Sequence, residues 1–86
     1  MSGRIDPSWL VFDSVENDEH DRCVDCFSRP DGSFGFEEFR RDVEDGGAWT
    51  PVQHYSGLSY KTKDEALLAA RKAVVWLAEA LERRSR

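Results

Sequence analysis

The most constraining stretch of this chain is the one from Lys63 to about Arg84. Leu67, Ala70, Val74, Leu77 and Leu81 recur at steps of three and four, with Ala66, Ala73 and Ala80 beside them, so a helix here carries one continuous apolar face. Thr62-Lys63-Asp64-Glu65 reads as a capping box. The Thr62 hydroxyl accepts from the Glu65 N–H, and the Glu65 carboxylate reaches back to the N–H of Thr62. Asp64 and Glu65 put negative charge in the first turn, and Arg83, Arg84 and Arg86 put positive charge at the far end, both the favourable sign for the helix dipole. Roughly 20 residues at 1.5 Å rise make a rod about 30 Å long. Arg71 and Lys72 interrupt it too early for a membrane span. Its apolar stripe must be covered by residues 1–61 or by a partner.

The preceding residues read as short strands and turns. Met1 to Asp6 form a loose end. Asp6-Pro7-Ser8 is able to start a short helix, but Trp9-Leu10-Val11-Phe12 is aromatic and β-branched and reads better as a buried strand. Asp13 to Asp21, rich in acids, reads as an exposed connection. Arg22 to Ser28 is the next strand, Arg29-Pro30-Asp31-Gly32 a tight turn, and Ser33-Phe34-Gly35-Phe36 the start of a returning strand. Phe36, Phe39 and Val43 have helical spacing, whereas Phe34 and Phe36 alternate as in a strand. A strand to about Arg41, with a bulge near Glu37-Glu38 keeping Phe39 on the buried face, is the favoured reading. Asp45-Gly46-Gly47 signals a turn. Trp49 to Tyr55 is a last strand, and Pro51 confines it to an edge or a bulge.

The expected fold is therefore α+β: one domain over 1–86, with a small antiparallel sheet of three or four strands over about 8–55. One long C-terminal helix over about 63–84 packs across a face. This element order resembles the latter part of double-stranded-RNA-binding domains. The basic cluster expected at the start of the last helix is reduced here to Lys61 and Lys63, so the resemblance carries no RNA-binding function.

Composition bounds the function. The chain has 86 residues, 40% hydrophobic and 34% charged, with five Phe and three Trp, which describes a globular protein of modest core. The net charge of −5 is uneven. Residues 61–86 hold seven Lys or Arg against four Asp or Glu, and residues 1–60 hold five against thirteen. An acidic body repels phosphate backbones, which argues against nucleic acid as a partner. No basic-plus-apolar leader stands at the N-terminus, so a cytoplasmic location with reduced cysteines is expected, and no membrane partner.

Three patterns approach known chemistry. Asp31-Gly32-Ser33-Phe34-Gly35-Phe36-Glu37-Glu38-Phe39 resembles the second half of a calcium-binding EF-hand loop, with Glu38 at the bidentate position. The first and third ligand positions are Phe27 and Arg29, which supply no carboxylate. Cys23 and Cys26 form a C-x-x-C, and with His20 and His54 they make four potential zinc ligands. On a strand, however, the cysteines stand roughly 10 Å apart on opposite faces, too far for a disulfide, and neither sits at the helix N-terminus a redox pair uses. His54 with Cys23 or Asp25 forms a dyad only through tertiary folding, and no nucleophile elbow or phosphate loop is present. Catalytic residues, cofactor and metal are thus not expected.

Aromatic side chains are the remaining resource. Trp9, Trp49, Tyr55 and Tyr60 serve either to fill a small core or to form a binding face. Two functions from different classes stay open. One is a non-catalytic binding or accessory module using an acidic sheet surface and an aromatic edge at Trp49, Tyr55 and Tyr60. The other is a metal-binding or thiol-dependent protein using His20, Cys23, Cys26 and His54. A protein partner fits either, as does a monomer or a homodimer through the helix face or the edge strand.

Overall fold

The computed structural model describes residues 6–42, 46–53 and 55–84. The loose end read over Met1 to Ile5, the helical spacing at Val43, the start of the Asp45-Gly46-Gly47 turn, the His54 assignments and the charge at Arg86 lie outside them. Four strands, β1 (Leu10–Glu16), β2 (Arg22–Ser28), β3 (Phe34–Arg41) and β4 (Trp49–Pro51), form one antiparallel sheet in the order β1-β2-β3-β4. Two helices follow, α1 (Lys63–Ala73) and α2 (Val75–Arg84). The α+β expectation holds.

The helical stretch is divided. Val74 leaves helical geometry at φ −109°, ψ 105°, while its N–H still donates to the Ala70 carbonyl at 2.8 Å. Val74 and Val75 are both β-branched, the residue type that loses most rotamer freedom in a helix. At the break Val74 turns inward, 2% exposed, and Val75 outward, 91% exposed. The apolar stripe survives the interruption. Ala66, Ala70, Val74, Leu77 and Ala80 are all buried. The cap forms largely as expected: Glu65 N donates to Thr62 Oγ1 at 3.0 Å. The Glu65 carboxylate takes the N–H of Lys61 at 3.2 Å rather than that of Thr62.

The helices cover one face of the sheet. Val15, Val24, Cys26 and Phe36 from the strands meet Ala70, Val74, Leu77 and Ala80 in a single core. The opposite face carries Cys23, Asp25 and Phe27 on β2, facing Phe39, Glu37 and Gly35 on β3. These side chains are buried too, so β2 and β3 are closed on both faces. This explains one departure from expectation. The β2–β3 register is regular through Glu37 and Glu38, with no bulge. Phe36 and Phe39 fall on opposite faces, and each face has a buried place for its Phe. The irregularity lies instead in β1, between Val11 and Asp13. There it places Phe12 against the same core as Val15, two residues that strict alternation would send to opposite faces.

Two boundaries also differ. Contrary to the expected connection over Asp13–Asp21, β1 runs on through Asp13 to Glu16, because Val15 has a buried site opposite Val24. The connection to β2 is confined to Asn17–Asp21. Asn17 Oδ1 accepts from the N–H groups of Asp21 and Arg22 at 3.1 and 3.0 Å, its Nδ2 donates to Asp21 Oδ1, and His20 takes a positive φ of 58°. β4 ends at Pro51 rather than at Tyr55, and the chain makes a 3₁₀ turn at Tyr55–Gly57. The β2–β3 turn falls where read, with Gly32 at φ 88°.

Candidate functional site

The two edges of the sheet are built in different ways, and the contrast begins with Glu37. Its side chain leaves β3 on the face away from the helices, at the edge where β4 has already ended. Oε1 accepts from the Tyr55 N–H and Oε2 from the Ser56 N–H, both at 3.2 Å. The carboxylate thereby satisfies the free donors at the start of the 3₁₀ turn. Val52 N donates to the Glu38 carbonyl at 2.9 Å, and Phe34 and Tyr60 exchange both backbone bonds at 2.9 and 2.8 Å. Side chains complete the closure. Tyr55 and Tyr60 stack on Phe36 with centroids 5.0 and 6.1 Å away.

Arg29 fastens this segment from the hairpin. Nη2 donates to the carbonyls of Ser56 at 2.7 Å and Leu58 at 3.2 Å, and Nη1 to the Phe34 carbonyl and the Ser33 and Ser59 hydroxyls at 3.3 Å. The guanidinium also lies over Trp9 at 4.5 Å and Phe27 at 5.0 Å, favourable cation–π positions. Gly35 makes room for it: a Cβ there would stand 2.8 Å from Arg29 Nη2 and 2.9 Å from the Phe27 ring.

On the other side of the sheet, β1 offers seven residues of strand whose outer side pairs with no described element. Leu10 and Val11 are 70% and 45% exposed at its start. The strand ends on exposed Glu16, and beyond it stand the exposed acids Asp18 and Glu19. Between β1 and α2 runs a groove of about 360 Å³ lined by Ser14, Val15, Glu16, Asp18, Ala80 and Arg83. Arg83 is held at its rim by Asp18 at 3.1 Å and Glu79 at 2.8 Å.

The residues singled out in the sequence are dispersed. Cys23 and Cys26 are free thiols, each 1% exposed, on opposite faces of β2. His20 lies on the exposed β1–β2 turn, its Nδ1 3.1 Å from Glu16 Oε1. The structure does not bring these three together, and among the described residues no group of three His, Cys, Asp or Glu is placed to hold a metal ion. Cys23 instead joins a small polar cluster. Its Sγ donates to Asp25 Oδ1 at 3.3 Å, and the same oxygen accepts from the Ser14 hydroxyl at 2.7 Å. Trp49 lies under the Arg41 guanidinium at 4.8 Å, at the end of β3 opposite the Phe34–Tyr60 bridge. Trp49, Tyr55 and Tyr60 are each half-buried along the closed edge.

The EF-hand-like stretch is a hairpin. Asp31 Oδ1 accepts from the Ser33 hydroxyl at 2.7 Å and the Ser33 N–H at 2.9 Å, bonds that hold its carboxyl below the ordinary Asp range. Glu38, at the position of the bidentate ligand, is buried on the helix face with Trp76 Nε1 at 3.1 Å and Arg22 Nη1 at 3.7 Å. No described helix is long and apolar enough to cross a membrane. Compared with protein-family models, curated proteins and solved structures, the chain finds no match.

The candidate surface that the sequence does not announce is the β1 edge. Its one local signal was Val15, an apolar residue inside an acidic run. The Arg29 clasp on Ser56, Leu58 and Ser59 has no signal, since those partners lie roughly thirty residues away.

Proposed function

We propose that this chain is a non-catalytic binding module that accepts an extended polypeptide as an added strand along β1. The observation that carries the reading is the asymmetry of the edges. The β3–β4 side is closed by Glu37, Tyr55, Tyr60 and Arg29, whereas the outer side of the seven-residue strand β1, toward which alternate residues turn their backbone donors and acceptors, pairs with no described strand. An added strand gains its affinity from those main-chain bonds and its selectivity from alternate side chains. Exposed Leu10 and Val11 supply apolar contact at one end. A binding role is also favoured over catalysis by the state of the acid–thiol pair: Asp25 and Cys23 bond to each other, 3% and 1% exposed. A cytoplasmic location belongs to the same proposal and agrees with two free cysteines.

The test is a ¹H–¹⁵N titration of the whole chain with an alternating Thr–Val peptide of about seven residues, matched to the length of β1. The expected outcome is that amides of residues 10–16 shift and gain protection from hydrogen exchange while those of Tyr55 to Tyr60 stay unchanged. Shifts absent from β1, or confined to the outer helix face around Leu68 and Val75, would remove the proposal.

A further inference from the structure

Resting on the strand-acceptor reading, we infer that the polypeptide received by β1 is cationic, with Lys or Arg side chains meeting the acidic end of the strand and apolar ones meeting Leu10 and Val11. The charge distribution carries this. Glu16 and Asp18 have side chains 45% and 75% exposed, and Glu19 is exposed beside them. Arg83 is the cation lining the groove, and it is already engaged by Asp18 and Glu79, one charge against two. The groove floor contains Val15 and Ala80, 6% and 8% exposed, both apolar. A lysine or arginine side chain laid across it would rest its aliphatic stem on that floor and hold its charged head at the Glu16 rim.

The same charges bear on the choice between occupants. An open, partly apolar strand edge invites pairing with an identical edge, and acidic side chains and a bulge are means of discouraging it. With the chain at −5 overall, two β1 strands laid edge to edge in parallel would bring Glu16, Asp18 and Glu19 of both copies close together, and laid antiparallel would set those acids against Leu10 and Val11 of the other copy. A basic segment meets the same groups as attraction. The carboxylates thus give a second copy no matching charge in either direction and select a cationic partner.

Two peptides of about nine residues, alternating Lys–Val and alternating Glu–Val, are titrated into the full chain and followed by ¹H–¹⁵N shifts. The expected result is a preference of about tenfold or more for the Lys–Val peptide, since cross-strand charge pairs change sign between the two. Its shifts fall on residues 10–16 and on the adjoining turns of α2. The preference shrinks as salt rises from about 50 to about 300 mM, because the pairs are exposed. The double variant Glu16→Lys, Glu19→Lys, which leaves the Asp18–Arg83 pair in place, should reverse the preference without moving the thermal midpoint appreciably. Equal binding of both peptides at β1 would overturn the cationic partner and leave strand addition standing. No shift at β1 with either would overturn both, and a Lys–Val peptide that perturbs acidic surface away from β1 would reduce the effect to unspecific charge attraction, which also overturns the inference.

Discussion

The two edges of this sheet face the same problem with opposite results. On the β3 side, a three-residue strand supplies few backbone partners, and the chain compensates with a carboxylate, two tyrosines and an arginine that draw residues 55–60 along the remaining edge. On the β1 side, a longer strand pairs with β2 apart from the irregularity at Phe12, and its outer row meets no described strand. Backbone bonds alone therefore do not decide whether an edge is closed; nearby side chains able to take over the orphan donors do.

Substitutions can break that contrast from its closed side. The largest effect is expected at Phe36, which is 1% exposed and carries both tyrosine stacks as well as part of the core. Phe36→Ala should cost about 3–5 kcal/mol in chemical denaturation, and loss of no more than a few tenths would mean that Tyr55 and Tyr60 close the edge without it. Glu37→Ala leaves the Tyr55 and Ser56 N–H groups without their acceptor, at a cost of about 1–3 kcal/mol. Hydrogen exchange should accelerate at those two amides before the rest of the sheet. Gly35→Ala forces Arg29 or Phe27 aside and should cost about 1–3 kcal/mol, with the tryptophan fluorescence of Trp9 changing as its stacked partners move.

The open side should behave differently. Leu10→Ser lies at an exposed position and should change stability by less than about 0.5 kcal/mol, while weakening any strand added to β1. A destabilisation as large as that of Gly35→Ala would show that the edge is already in use within the chain. The smallest effect concerns the hairpin that presents Arg29. Asp31 should titrate below the ordinary Asp range, and Ser33→Ala should return it toward that range in a carboxyl-shift NMR titration. Because the folded-state value is lowered, this contribution is present above the unfolded pKa and is lost as pH falls through the folded one.

How much of this could be read from the sequence followed the range of the interactions. β2, β3 and the turn between them are legible because Arg22 to Ser28, Pro30-Asp31-Gly32 and the Phe34–Phe36 alternation carry local signals. The capping box at Thr62 and Glu65 is equally local. The break at Val74 was hidden by its own good fit to the apolar stripe, since burial and helical geometry part company there. The rest depended on contacts across the chain. Val15 extends β1 because Val24 lies opposite it, and Phe36 and Phe39 need no bulge because both faces of β3 are closed. The sequence points to an edge at Trp49, Tyr55 and Tyr60 because aromatic side chains are conspicuous in it. The edge at β1 consists of backbone, which every residue has, and so leaves no mark in composition.

The order β1-β2-β3-β4 with both helices following it has a consequence during synthesis. Each strand pairs with its neighbour in the chain, so the sheet has its hydrogen-bonding partners as soon as Tyr60 is made. Its helix face, with Val24 and Phe36, waits for residues 63–84. At about 5–20 residues per second, residues 61–84 take roughly one to five seconds to add. A sheet that pairs before the helices dock shows apolar surface on a face that the finished molecule covers, and a substitution that slows helix formation would lengthen its exposure.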